Sequence, residues 1–125
     1  MAGIEHVLLL RQGVESWNNW RKKNPNVQPY LREAVLRRVD LSRANLRKAN
    51  LRKADLYGTK LAAADLRGAD LFGANLMAAD FSERADLSGA DLRGANLTDA
   101  VGLTYTQIYG AQLDEKTQLP VYLKK

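Results

Sequence analysis

Cysteine is absent from this 125-residue chain, and histidine occurs once, as His6. The first absence excludes a disulfide framework, a thiolate nucleophile and a thiolate-bound metal. The second leaves no Ser/His/Asp set, because no triad or ligand partner type clusters near His6. His6 is therefore read as a surface or core-edge side chain. There is also no glycine-rich phosphate cradle and no metal-spaced cluster. Long apolar runs are missing too. The longest near the N-terminus covers residues 7–10, too short for the core of a secretion signal or for a bilayer span. The chain is expected to be a cytoplasmic protein with no enzymatic activity, cofactor, metal or membrane contact.

Charge is present but unevenly placed. Residues 1–53 hold 12 Lys/Arg against 4 Asp/Glu, and residues 54–125 hold 7 against 10. The halves carry +8 and −3 within a net charge of +5. Such asymmetry bears on partners and self-association rather than on fold.

A large apolar residue returns at every fifth position. The series runs Leu31, Leu36, Leu41, Leu46, Leu51, Leu56, Leu61, Leu66, Leu71, Leu76 and Phe81, and resumes at Leu87, Leu92 and Leu97. A small residue, usually Ala, stands two positions before nearly every member, with Asp or Asn between. A period of five fits neither regular element. On a helix at about 100° per residue the leucines would ring the axis. On a straight strand an odd period would put successive leucines on opposite faces.

The conflict disappears if the chain turns a corner within each repeat. The apolar residue and the small residue then point inward, and the Asp or Asn points outward. The next two residues make the corner. Gly58, Gly68, Gly73, Gly89 and Gly94 occupy the second corner position, where a type II turn needs positive φ. Lys, Arg and Ala at the same position elsewhere show that glycine is not obligatory. Four right-angle corners close a coil, and coils stack at roughly 4.8 Å. A single inward apolar set is buried only by such stacking.

The unbroken Ala-(Asp/Asn)-Leu-x-x runs over 44–56 and 64–76 resemble the pentapeptide repeat family, and the resemblance extends over residues 31–113. It implies an all-β solenoid, a right-handed quadrilateral β-helix of about four coils, and it implies no enzyme. The opening helix and the closing Thr-Gln-Leu-Pro are similar to short cyanobacterial members. Some family relatives resemble DNA and protect topoisomerases from quinolones, using an acidic, elongated surface. This chain is basic and short, so no residue is carried over from them.

Three segments follow. Residues 1–28 are an N-terminal α-helical cap and lead-in, 29–113 the β-helix, and 114–125 a short C-terminal capping tail. Within the first, residues 4–23 read as one helix interrupted in pattern at Gly13 and stopped by Asn24-Pro25. Trp17 and Trp20 are expected to cover the open end of the core. The repeat spacing slips to six between Phe81 and Leu87, Leu97 and Leu103, and Leu113 and Leu119. Each slip adds one residue at a corner, which loops absorb cheaply. After Asp99 a last, looser coil is expected, with Leu103, Ile108 and Leu113 inward.

Any function must then lie in the outward residues. A basic set comprises Arg32, Arg37, Arg38, Arg43, Arg47, Lys48, Arg52 and Lys53, with Arg67 stacked beyond Arg47. An apolar set comprises Tyr57 and Met77, one coil apart, with Phe72 at the neighbouring corner. The stacked carboxylates Asp65/Asp86 and Asp70/Asp91 are expected to bond corner backbone groups and neighbouring arginines rather than a cation. The leading functional expectation is a non-catalytic scaffold or interaction module that binds a protein. The alternative is a nucleic-acid-associated or topoisomerase-modulating role, drawing on the basic coils. A monomer is expected, with weak end-to-end association favoured only at low salt.

The register makes one prediction. Replacing an inward small residue overpacks the coil, at roughly 1–3 kcal/mol. Ala64→Leu is expected to lower the melting temperature more than Ala62→Leu at an outward position, read by thermal denaturation.

Overall fold

A computed structural model describes residues 2–123, with side chains from Ile4 onward. The last two residues of the expected tail, 124 and 125, and Met1 lie outside the described residues. The order of elements is α1 (Ala2–Arg11), α2 (Val14–Lys23), the four-sided coil, α3 (Tyr105–Tyr109) and a closing 3-10 turn (Val121–Leu123).

Residues 30–118 wind into stacked coils. One face carries the parallel pairings Tyr30–Asn50, Asn50–Asp70, Asp70–Asp91 and Asp91–Gln112, which is four complete turns. The other three faces carry Val35–Asp55–Asn75–Asn96–Gln118, Asp40–Lys60–Asp80–Val101 and Asn45–Asp65–Asp86. Each face is so short between corners that pairing reaches one residue per coil. No continuous ladder develops, although every rung is parallel.

The repeat satisfies its backbone locally. In residues 46–50, Leu46 N–H donates to Asp65 O at 2.8 Å and Lys48 N–H to Arg67 O at 2.9 Å, both one coil ahead. Asn50 N–H donates back one coil to Pro29 O at 2.9 Å. Ala49 N–H closes the turn onto Leu46 O at 3.1 Å. The fifth donor, Arg47 N–H, has no backbone partner and is taken by the Asn45 side chain at 3.2 Å. This last bond explains the outward Asp or Asn, since only a short acceptor side chain reaches the N–H two residues on. It recurs at Asp40, Asn50, Asp55, Asp65, Asp70, Asn75, Asp80, Asp86, Asp91 and Asn96.

The corners are type II turns, with positive φ at the third turn residue. Non-glycine residues accept it repeatedly: Glu33, Arg38, Arg43, Lys48, Lys53, Ala63 and Ala78 lie between 57° and 66°. Inside, Leu36, Leu41, Leu46, Leu51, Leu56, Leu61, Leu66, Leu71, Leu76, Phe81, Leu87, Leu92 and Leu97 are each no more than 1% exposed. The alanines between them are buried as well. Thr59 takes one of these alanine positions and donates its hydroxyl to Leu36 O at 2.7 Å. Ala62, expected outward, is only 7% exposed. Its lone methyl lies between the serines of adjoining coils, so it is a weaker control for Ala64 than its register suggests.

The cap consists of two helices rather than one. Gly13 has φ 126° and ψ 157°, which a helix cannot contain, and this breaks α1 from α2. The cap then occupies the open edge of the first coil. Trp17 is fully buried and its Nε1–H donates to Asn45 O at 2.8 Å. Asn18 Oδ1 accepts from Asn45 N–H at 2.8 Å, and His6 Nδ1 accepts from Tyr30 N–H at 2.8 Å. Arg11 and Arg21 donate to Val35 O and Arg47 O. Five of the ladder groups that lack a preceding coil are thus paired by side chains.

The C-terminal end differs from a looser coil. On one face the chain forms α3, opened by a capping box between Thr104 and Gln107. Gln107 Nε2–H donates to Ala85 O at 2.7 Å, in place of the backbone donor a regular coil would supply. Ile108 still points inward, 1% exposed. The coil resumes at Gln112 and Gln118, so pairing reaches into the stretch expected to be tail. Thr117 Oγ1 and Tyr122 OH then donate to Leu92 O and Ala100 O at 2.9 and 2.6 Å.

The first slip adds a second positive-φ residue, with Glu83 at 54° and Arg84 at 62°. The second inserts Gly102, which lies against the preceding coil. A Cβ there would approach Ser82 N to 2.6 Å, and φ is 82°. At Gly94 an added Cβ meets nothing nearer than 3.7 Å. Gly102→Ala is expected to cost at least about 2 kcal/mol, because backbone must move. Gly94→Ala is expected to cost about 1 kcal/mol, from φ alone. Urea denaturation of both variants measures the difference, and equal losses would contradict the close approach at Ser82.

Candidate interaction surface

The outward residue after each core leucine forms a column along the stack. Two neighbouring corners carry Arg32, Arg52, Phe72 and Arg93 in one column and Arg37, Tyr57, Met77 and Thr98 in the next. The columns follow from the twenty-residue register, lengthened by one after residue 82. Tyr57, Phe72 and Met77 are half-buried. The Arg37 guanidinium lies 4.6 Å from the Tyr57 ring centre, with Arg38 at 5.5 Å. Arg52 and Arg93 lie 4.5 and 5.6 Å from the Phe72 ring centre, one coil to either side. The apolar set is therefore interleaved with arginine rather than bare.

Three of these arginines, and Arg67, are held by carboxylates. Arg37 pairs with Asp55 and Arg52 with Asp70, each at 3.0 Å. Arg67 holds Asp65 at 2.6 Å and reaches Asp86 at 3.7 Å, and Arg93 holds Asp91 at 2.8 Å. The acidic columns thus bond the corners and the arginines. Among the described residues no group of side chains is arranged to hold a metal ion. Arg32, Arg38, Arg43, Arg47, Lys48 and Lys53, the rest of the basic set, make no ion pair among the described residues, and all six are exposed.

These partners set the carboxylate acidities. The serine hydroxyl and backbone of Ser88 hold Asp86 below the ordinary carboxylate range, and Arg93 does the same for Asp91. At Asp65, burial alone pushes upward, but the bonds from Arg67 outweigh it and the net direction is down. Arg21 is the exception of opposite kind. It is 8% exposed and its acidity is increased, first by burial and then by the nearby charge of Arg47.

A model of pentapeptide repeats matches residues 30–61, 54–83 and 83–115, with 8 copies of the repeat. The chain belongs to the pentapeptide repeat family. Its fold is the right-handed quadrilateral β-helix of that family. Among solved structures, alr5209, a pentapeptide repeat protein from Nostoc PCC 7120, matches with a TM-score of 0.68 and 31% identity over 86% of this chain and 84% of that one. QnrB1, a plasmid-mediated fluoroquinolone resistance protein, matches with a TM-score of 0.57 and 30% identity. The match covers 66% of this chain but only 39% of QnrB1. A pentapeptide repeat protein from Cyanothece 51142 is 32% identical over 75% of this chain and 67% of that one, with a TM-score of 0.35. No curated protein sequence matches this chain.

The outward sets of this pentapeptide repeat protein were legible from the period. The pairing of arginine with aromatic rings was not, because it joins residues from adjacent coils. Of the side chains that bind the first coil's edge, Trp17 was expected to cover the open end of the core from its helical spacing with Trp20, whereas His6, Arg11, Asn18 and Arg21 carried no periodic signal.

Two outcomes are expected. Asp80 accepts the Ser82 N–H at 2.9 Å and makes no ion pair among the described residues. Asp80→Ala should cost about 1 kcal/mol, and Asp80→Asn should keep most of it, since asparagine makes the same turn elsewhere. Chemical denaturation separates the two. Asp65, Asp86 and Asp91 are more acidic folded than unfolded, so their stabilisation is complete above the unfolded value and lost as pH falls through the folded ones. The melting temperature is expected to be level down to about pH 5 and to fall below about pH 4.

Proposed function

We propose that the protein is a non-catalytic scaffold that binds another protein through the Arg/Tyr/Phe/Met corner. The observation that carries this reading is the interleaving of Arg37 with Tyr57 and of Arg52 and Arg93 with Phe72. Arginine and aromatic residues dominate the binding energy of protein interfaces. Here stacking and the pairs to Asp55 and Asp70 already restrict the side chains, so less rotamer freedom is lost on association. The inside of the coil is filled by leucine and alanine. That supports a role carried by the surface rather than by an enclosed substrate site. The hydrogen-bonded caps at both ends support a monomer, because they oppose continued stacking of coils.

A nucleic-acid-associated role is the second reading. It draws on the unpaired basic residues of the first coil and on the likeness to a fluoroquinolone resistance protein. Four arginines in the stack are already neutralised by aspartates, which weakens it.

The test is affinity purification from the native host, with mass spectrometry, of wild type and of a Tyr57→Ser/Phe72→Ser/Met77→Ser variant. A partner is expected that is retained by wild type and lost with the variant while the melting transition remains cooperative. A partner retained equally by both would move the contact elsewhere. Binding of duplex DNA that weakens steeply with salt, in an anisotropy titration, would favour the second reading.

A further inference from the structure

Between the lead-in of the N-terminal cap and the first coil lies a cleft of about 410 Å³, lined by Arg21, Val27, Gln28, Asn45, Arg47 and Lys48 together with the adjoining Pro25, Asn26 and Pro29. It shares no residue with the Arg/aromatic corner, and among the described residues no carboxylate lines it. Its innermost cation is unusual. Arg21 is 92% removed from solvent, yet among the described residues it has no carboxylate within ion-pair distance. Its terminal nitrogens donate to Val27 O at 3.0 Å and Arg47 O at 2.8 Å. Its Nε is the one buried side-chain polar atom among the described residues that has no hydrogen-bond partner.

Burying a cation without a counter-charge is costly. The carboxylate whose field reaches Arg21 is Asp65, and Arg67 already holds that group at 2.6 Å. Arg47 and Lys48 add two exposed cations at the mouth. Gln28 donates its amide N–H to Lys48 O at 3.1 Å, which ties the lead-in to the coil and fixes the cleft's far wall.

We propose that this cleft is a binding site for a phosphate group. Three cations around one opening match a dianion better than a single carboxylate, which would leave two charges unbalanced. Arginine and lysine together suit a tetrahedral oxyanion, one through its planar fork and the other as a point charge. The volume exceeds that of a bare phosphate ion, so the group fits as the monoester of a small molecule as well as the free ion.

Isothermal titration calorimetry at constant ionic strength tests this with inorganic phosphate, adenosine monophosphate and acetate. Wild type, Arg47→Gln, Lys48→Gln and Arg32→Gln are compared. Among the described residues none of the Arg47, Lys48 and Arg32 side chains makes a hydrogen bond or ion pair, so the coil is retained in these variants, and a thermal melt verifies it. Saturable single-site binding of both phosphate probes is expected, with Kd raised at least about tenfold by Arg47→Gln or Lys48→Gln and unchanged by Arg32→Gln. Tighter binding of the nucleotide would assign the monoester, and equal affinity would assign the free ion as the ligand of the same site. The proposal is overturned if no saturable heat appears up to about 10 mM phosphate. It is also overturned if acetate binds as well, or if Arg32→Gln weakens binding as much as Arg47→Gln.

Discussion

The structure depends on pairing the backbone N–H that lies just past each core leucine. A chain that turns every five residues sends two donors forward to the next coil, one back, and one into its own turn. The remaining donor points outward at the corner. The aspartate or asparagine two residues earlier accepts it, as Asn45 does for Arg47. This single local bond lets the corner form without a ladder partner. It also explains why Asp and Asn alternate freely there while the charge pattern around the stack changes.

The ends obey the same requirement by other means. At the first coil no preceding coil exists, and His6, Arg11, Trp17, Asn18 and Arg21 pair five of the ladder groups left open there. At the far end Gln107, Thr117 and Tyr122 do so. The three six-residue spacings have separate physical solutions. One is a doubled left-handed corner at Glu83 and Arg84. One is a glycine lying against Ser82. The third is a turn at residues 114–117, closed by Thr117 N–H onto Asp114 O.

The outer surface is organised by register rather than by sequence proximity. Arginines meet aromatic rings one coil away, and two of the aspartates meet arginines eighteen residues earlier, in Arg37–Asp55 and Arg52–Asp70, while Arg67 and Arg93 take the aspartates two residues before them. The basic character of the first half is therefore partly internal to the surface. What remains unbalanced gathers at the N-terminal coil, around Arg32, Arg47, Lys48 and the buried Arg21.

The sequence by itself determined the coil, the inward leucines, the turn geometry and the columns, because a strict period repeats one local solution and stacking has one register that buries it. The tertiary structure decided the rest. Gly13 splits the cap because its backbone conformation lies outside any helix. Residues 105–109 leave the coil for a helix because a Thr104/Gln107 capping box stabilises that turn and the Gln107 side chain replaces the lost rung. The Arg/aromatic corner and the cleft at Arg21 join residues separated by a full coil or more. No local pattern encodes such neighbours, since their distance is fixed only when coils and cap have packed.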